Sequence, residues 1–285
     1  MKPLFFNPGE LIVHHTYTEC PQEDKFPLHA HDHFEIFCFL SGQGYYTVEG
    51  HDYSLTPGCV LIMRDNETHK LHISSERPYD RMAIHFSPRP FKNSPYESLL
   101  EPFLNRPLGQ NNMLPKGEAL SRVVDMMIHV TEPESKEEME WRVLTYLPAL
   151  LYEINSIIEA NPAPQLRDSE NLVKNIIEYI NRDPGAVENV VAMESVFGYS
   201  RSYLNRTFRR STGVPIWDYV ILKRLTKARV AIRAGVPASV AATESGFVDY
   251  SSFFRQYRKR FGLTPEEDKR LAMQEESTST KGGKA

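Results

Sequence analysis

The sequence predicts a two-domain α+β chain: a small antiparallel β-barrel, a pair of helices, and an all-α domain holding two helix-turn-helix units. Three observations carry this. Short apolar runs divided by Gly, Pro and Asp turns fill the first part of the chain. A helix-turn-helix pattern occurs twice near the C-terminus, its copies offset by 49 residues. Charge is unevenly spread: residues 168–270 hold 17 Lys and Arg against 12 acids, a net +5, while the rest carries −9 within a total of −4. At 285 residues and 41% hydrophobic content, two ordinary cores are expected.

The barrel comes first. Strands are expected at Phe34 to Leu40, Tyr45 to Val48, Cys59 to Met63, His69 to Ile73 and Met82 to Phe86. Ser41-Gly42-Gln43-Gly44, Glu49-Gly50-His51-Asp52 and Thr56-Pro57-Gly58 supply turns between them. Residues 29, 31 and 35 share one parity, so a strand carrying them points His29, His31 and Glu35 inward, with Phe37 and Phe39 on the same wall. Imidazoles and a carboxylate on one wall could hold a divalent transition metal.

The spacing of these residues, His29-Ala30-His31, three residues, Glu35, six residues and Gly42, resembles the first motif of the cupin barrel. His69, eleven residues after Gly58, resembles the second. The second motif is incomplete, with Arg64, Asn66 and Ile73 where cupins tend to have Pro, Gly and Asn. The resemblance implies an effector pocket of His29, His31, Glu35, Phe37 and His69, with His29, His31, Glu35 and His69 as the metal set if a metal is held. A metal-bound site and a metal-free pocket both stay open, and the aromatic wall suits a sugar or a small aromatic molecule. The barrel is assigned residues 1–117.

Two helices follow, over residues 118–131 and 136–160. The second has Val143, Leu144, Leu147, Leu150, Leu151, Ile154 and Ile158 at helical spacing after an acidic start at Glu137-Glu138. This 118–160 segment either dimerises or packs across the barrel. Asn161-Pro162-Ala163-Pro164 ends it and opens a stiff linker, 161–170.

In the C-terminal third, Gly198 and Gly246 supply the turns of two helix-turn-helix units. Leu204 and Phe208, then Phe253 and Tyr257, lie four apart and anchor each second helix. Gly213 and Gly262 close the two copies. The other sides are polar and basic, with no acid between Arg201 and Arg210 or between Ser251 and Arg260. Such a pair implies a chain that reads two stretches of double-stranded DNA. An amphipathic helix from Ile216 to Ala234 joins them, and Gly235 and Pro237 stop it.

Residues 171–270 resemble the DNA-binding domain of the AraC/XylS family of bacterial regulators. Asp218-Tyr219, Arg224, Ala228, Gly246-Phe247, Phe253, Arg255 and Phe261-Gly262-Leu263-Thr264-Pro265 carry the likeness. It implies that the two second helices enter successive major grooves about 34 Å apart. Base-reading positions then fall on Ser202, Asn205, Arg206, Ser251, Ser252 and Arg255, and phosphate on Arg201, Arg209, Arg210, Arg258 and Lys259. Glu194 replaces a usual small Ala, and Ala241 a usual branched apolar residue.

Together these readings predict a cytoplasmic regulator that answers a small-molecule effector, forms a homodimer, and touches RNA polymerase if it activates. The competing class is a metal-dependent cupin enzyme, an isomerase or dioxygenase, with a DNA-binding appendage. No apolar run is long enough to span a membrane and no leader peptide is apparent. Cys20, Cys38 and Cys59, an odd set without CxxC spacing, read as small buried hydrophobes. Residues 271–285 read as a disordered tail.

Overall fold

The computed structural model describes residues 11–91, 94–132, 135–161, 172–212 and 214–281. The chain divides into two compact units, Met1–Pro27 with His33–Ser169, and Leu28–Asp32 with Glu170–Ala285. Inclusion of Leu28–Asp32 in the second unit departs from the sequence reading, which placed them in the barrel. Most of the expected linker, residues 162–170, lies outside the described residues, as does Gly213.

The first unit has seven strands: β1 (Leu11–Thr18), β2 (Phe34–Ser41), β3 (Gly44–Val48), β4 (His51–Ser54), β5 (Cys59–Met63), β6 (His69–Ile73) and β7 (Tyr79–Phe86). They form two sheets, ordered β1-β7-β2-β5 and β4-β3-β6, with antiparallel pairing throughout. Strands β5 and β6 fall where expected, whereas β1 and β4 were not anticipated. β2 is apolar on both faces because both are covered. Phe37 and Phe39 turn into the barrel interior with Tyr46, Leu61, Leu71 and Tyr79. Ile36 and Cys38 turn outward to a second core.

Helices α1 (Glu101–Leu104), α2 (Glu118–Thr131) and α3 (Lys136–Ala160) build that second core. Ser135 caps α3 by accepting from the Glu138 N–H at 3.1 Å. Val143, Leu147, Leu150, Leu151 and Ile154 are fully buried there, each adding roughly 1.5–3 kcal/mol of burial free energy. The inner face of α3 therefore packs within its own unit, and Leu144, expected on that stripe, is exposed.

The loop after α1 is bound to the barrel by Arg106. Its guanidinium donates to the buried Glu67 carboxylate at 2.7 and 2.8 Å, to Asn112 Oδ1 at 3.1 Å and to the Ile62 carbonyl at 3.1 Å. Burial pushes the Glu67 carboxyl up, but Arg106 outweighs it and holds it below the usual range. Cys38 and Cys59 are buried as expected, and burial pushes the Cys38 thiol up to about 12, which keeps it inert. Cys20 is exposed, contrary to expectation, because it lies past the end of β1.

The second unit contains α4 (Leu172–Arg182), α5 (Ala192–Phe197), α6 (Arg201–Thr212), α7 (Ile216–Arg233), α8 (Ala238–Glu244), α9 (Tyr250–Phe261) and α10 (Pro265–Lys281). The long helix α7 carries two cores end to end. Its first half, Ile216, Tyr219, Val220 and Leu222, packs with Leu204 and Phe208 of α6 and with α4. Its second half, Leu225, Ala228 and Ile232, packs with Ala241, Phe247, Phe253 and Tyr257. Each helix-turn-helix unit thus has its own half of one strut. The chain expected to be disordered from residue 271 continues instead as α10 to Lys281, its apolar face continued by the buried Ala272. Residues 282–285 lie outside the described set.

Candidate DNA interface and effector site

In the first helix-turn-helix unit, α5 ends on Gly198 in the left-handed region at φ 72°, its N–H bonded to the Glu194 carbonyl. The Glu194 carboxylate then accepts from the Arg201 N–H. Glu194, the departure from the usual Ala, is therefore a cap on α6, placing a negative charge at the helix's positive end. Beyond it, Leu204 and Phe208 are buried, and Arg201, Ser202, Arg206, Arg209 and Arg210 are exposed.

Asn205 is not available as the resemblance suggested. It is half-buried, and its Oδ1 accepts from the Ile216 N–H at 3.1 Å, which caps α7 where Pro215 provides no side-chain cap. Residue spacing along α6 carries no sign of this bond, because it spans two helices. Tyr199 and Tyr203, not singled out from the sequence, stack at 5.0 Å on the exposed side, with the Arg206 guanidinium 5.8 Å over Tyr203. Their spacing of four, off the Leu204/Phe208 stripe, was the available signal.

The second unit uses ordinary capping. The Asp249 carboxylate accepts from the N–H groups of Ser251 at 3.2 Å and Ser252 at 2.7 Å. Phe253 and Tyr257 are buried, while Ser251, Arg255, Arg258 and Lys259 are exposed. Ser252 is half-buried and its Oγ accepts from Gln256 Nε2 at 3.0 Å. Ala241, the other departure, is fully buried beside Phe247 and Phe253.

Arg206→Ala and Arg255→Ala are each expected to weaken binding to a selected operator by about 1–3 kcal/mol and to relax preference at one base pair. Arg209→Ala should weaken all duplexes alike and lower the salt slope by about one. Binding titrations at several salt concentrations on matched and scrambled duplexes read both effects. A uniform loss from all three substitutions contradicts this sorting.

In the first unit, the expected wall is only partly a strand. β2 begins at Phe34, after a bend at Asp32 and His33, so the parity argument holds for Glu35, Phe37 and Phe39 and does not extend to His29 and His31. Those two histidines sit in the Leu28–Asp32 segment assigned to the second unit, half-buried, their rings 6.0 Å apart. Glu35 is 2% exposed, with Oε2 3.3 Å from His69 Nε2 and 3.9 Å from His85 Nδ1. His85 was missed by sequence reading, although alternation along β7 with Arg81 and Ala83 places it on the inner face.

The tautomer of His69 follows from its neighbour. Its Nδ1 lies 2.8 Å from the Glu67 carbonyl, which only accepts, so Nδ1 carries a proton and Nε2 faces the Glu35 carboxylate. A ring held this way by a backbone carbonyl has the arrangement common behind metal-ligating imidazoles. Glu35, His69 and His85 thus offer a carboxylate and two imidazoles to the hydroxyl groups of a ligand. Phe37 and Tyr46, centroids 4.8 Å apart, add an apolar surface beside them.

Two family models match this chain: AraC-like ligand binding domain over residues 12–122 and helix-turn-helix domain over residues 193–270. Among curated relatives, the uncharacterized HTH-type transcriptional regulator YbfI of Bacillus subtilis is 23% identical over 227 residues, covering 80% of this chain and 81% of its own. The HTH-type transcriptional activator RhaS of Escherichia coli O139:H28 is 26% identical over 263 residues, covering 86% and 87%. Among solved structures, ToxT of Vibrio cholerae with bound unsaturated fatty acid covers 92% of this chain and 96% of its own at 14% identity and a TM-score of 0.41, too low to argue from.

A sheet-rich ligand-binding domain joined to a double helix-turn-helix domain defines a DNA-binding transcriptional regulator that responds to an effector. The chain belongs to the AraC family of such regulators. Its relatives regulate transcription rather than catalyse reactions, which removes the enzyme alternative. No described helix is long and apolar enough to cross a membrane.

Proposed function

We propose that the effector is held at the polar end of the barrel by Glu35, Phe37, His69 and His85, and that its binding shifts how the paired recognition helices engage DNA. The observation carrying this reading is a buried carboxylate, Glu35, facing two imidazoles beside an aromatic wall. A sugar or related metabolite suits it: hydroxyls bond to the carboxylate and imidazoles while the ring lies on Phe37. A ligand acts only through unequal affinity for the two arrangements it biases.

The regulator works in the cytoplasm as a homodimer, reading bases with Ser202, Arg206, Ser251, Ser252 and Arg255, and it touches RNA polymerase where it activates. The outer face of α3 supports the dimer, with Trp141 72% and Tyr152 63% exposed around Leu144. A metal-assisted effector site is the second reading, favoured by the His69 geometry.

Glu35→Gln and Phe37→Ala should each abolish the effector response in a footprinting assay while leaving effector-free DNA affinity within about twofold. Metal analysis of the same preparations and of His69→Ala separates the two readings: stoichiometric metal lost in His69→Ala supports the second. An unchanged effector response in both Glu35→Gln and Phe37→Ala removes the barrel as the site.

A further inference from the structure

The inner face of β7 runs Tyr79, Arg81, Ala83 and His85. Arg81 stands opposite Thr16 on β1 and Phe39 on β2, and paired residues share a face, so it lies on the interior side with Phe39. Asp80, its neighbour, turns to the other face and bonds His15 at 2.9 Å. Arg81 is half-buried, and among the described residues its guanidinium has neither an ion pair nor a hydrogen bond. A cation turned into a barrel is ordinarily paired.

The next inward residue has a matching gap. Tyr79 is fully buried against Phe26 and Phe39, and among the described residues its hydroxyl has no hydrogen-bond partner. Buried hydroxyls are nearly always bonded, so an orphan on a ligand-domain wall marks where a ligand atom belongs. Glu35, a nearby interior carboxylate, is directed at His69 and His85. His14 completes the surround, edge-to-face with His85 at 5.2 Å; burial, then the charge of Arg81, holds its pKa below the ordinary value.

We infer that the effector is an anion, a small hydroxylated acid whose carboxylate is received by Arg81 and Tyr79 while its hydroxyls meet Glu35 and His85. This rests on the barrel being the effector site. It narrows the class from sugars in general to their acids, and a phosphate ester would meet the same pair of groups. An apolar or cationic ligand leaves Arg81 and Tyr79 unanswered.

Calorimetric titration of the full chain with D-gluconate, D-galacturonate and glucose 6-phosphate, each against neutral D-glucose or D-galactose, tests it. At least one charged probe should bind tenfold or more tightly than its neutral parent, and the preferred probe tells carboxylate from phosphate. Arg81→Gln should reduce that probe's affinity roughly ten- to hundredfold, to the parent's level. Tyr79→Phe should weaken it less and raise the melting temperature of the ligand-free chain, since the orphan hydroxyl is gone. Arg81→Gln, which breaks no bond among the described residues, should melt with the parent.

Neutral sugars binding as tightly as their acids, or no charged probe binding at all, overturns the anionic class. Should binding be lost in Glu35→Gln and Phe37→Ala yet ignore Arg81→Gln, the barrel remains the site and only the class falls. Equal binding by every variant removes the barrel reading itself.

Discussion

Arg224→Ala should destabilise the DNA-binding unit by about 3–5 kcal/mol and with it abolish operator binding, although Arg224 lies on the strut α7 and not on a recognition helix. The side chain is 6% exposed. Its guanidinium donates to four backbone carbonyls: Pro184 at 2.9 Å, Gly246 at 2.6 Å, Gly185 at 3.3 Å and Val187 at 2.7 Å. Three of these belong to the segment before α5 and the fourth to the turn of the second helix-turn-helix unit. One fork therefore ties the approach to the first unit to the turn of the second. Removing the fork takes the guanidinium donors from all four carbonyls at once, and unsatisfied buried acceptors cost about 1–3 kcal/mol each.

The packing around that fork is tight enough to forbid easy repair. Gly246 sits at φ 91°, and a Cβ there would lie 2.7 Å from Gly185 Cα. Arg224 also stacks 5.2 Å over Trp217. Arg224→Lys should recover only part of the loss, because an ammonium cannot span four carbonyls in one plane. Hydrogen exchange of the full chain reads the result: amides of α8 and α9 should lose protection while those of β2 and β7 keep it. Parent-like protection in α8 and α9 would show that the four carbonyls find other donors.

How much of this was legible in the sequence depends on the range of the interaction. Helices α2 and α3 fall at their expected bounds, because their apolar residues recur at local spacing and Ser135 caps the second within one turn. Strands β5 and β6 were legible for the same reason. β1 was not: its alternate residues are His14, Thr16 and Thr18 on one face, and its partner β7 lies more than sixty residues away. Arg224 was visible as part of the family resemblance, but its four acceptors come from two stretches of chain about sixty residues apart, 184–187 and Gly246.

The candidate sites divide along the same line. Exposed basic positions such as Arg206 and Arg255 follow from helical periodicity, since the buried stripe fixes which sides remain outside. Asn205 fails because its amide is captured by α7, a tertiary bond. Alternation along β2 puts Glu35 and Phe37 on the interior wall, but it does not reach His29 and His31, which precede the start of β2. His85 and Arg81 carry the same alternation on β7, but nothing local marks that strand's inner face as the polar one.

Asp268→Asn is expected to cost about 3–5 kcal/mol of the second unit's stability and to flatten its acid-side pH dependence. Asp268 is fully buried on α10, where it accepts from Arg229 at 2.6 Å and Arg233 at 2.8 Å on α7 and from the Tyr257 hydroxyl at 2.7 Å on α9. It is the point at which α10 is joined to both helices. An amide keeps the shape but removes the charge that faces both guanidinium groups, which also lie 3.8 and 3.2 Å from Asp32. Burial pushes the Asp268 carboxyl up, yet Arg229 first, then Tyr257 and Arg233, outweigh it and hold the group below the usual carboxylate range. A carboxyl depressed in the folded state contributes stability that is complete above its unfolded value, about 4, and is lost as pH falls below that toward the folded value. The parent should therefore lose stability steeply on acidification below about pH 4, and Asp268→Asn, already deprived of that contribution, should lose less over the same interval. Urea unfolding of both full-length chains between about pH 6 and pH 2.5, followed by exchange protection in α7 and α9, measures the difference. Parallel pH profiles would mean that Asp268 is not the group on which the acid response of this unit depends.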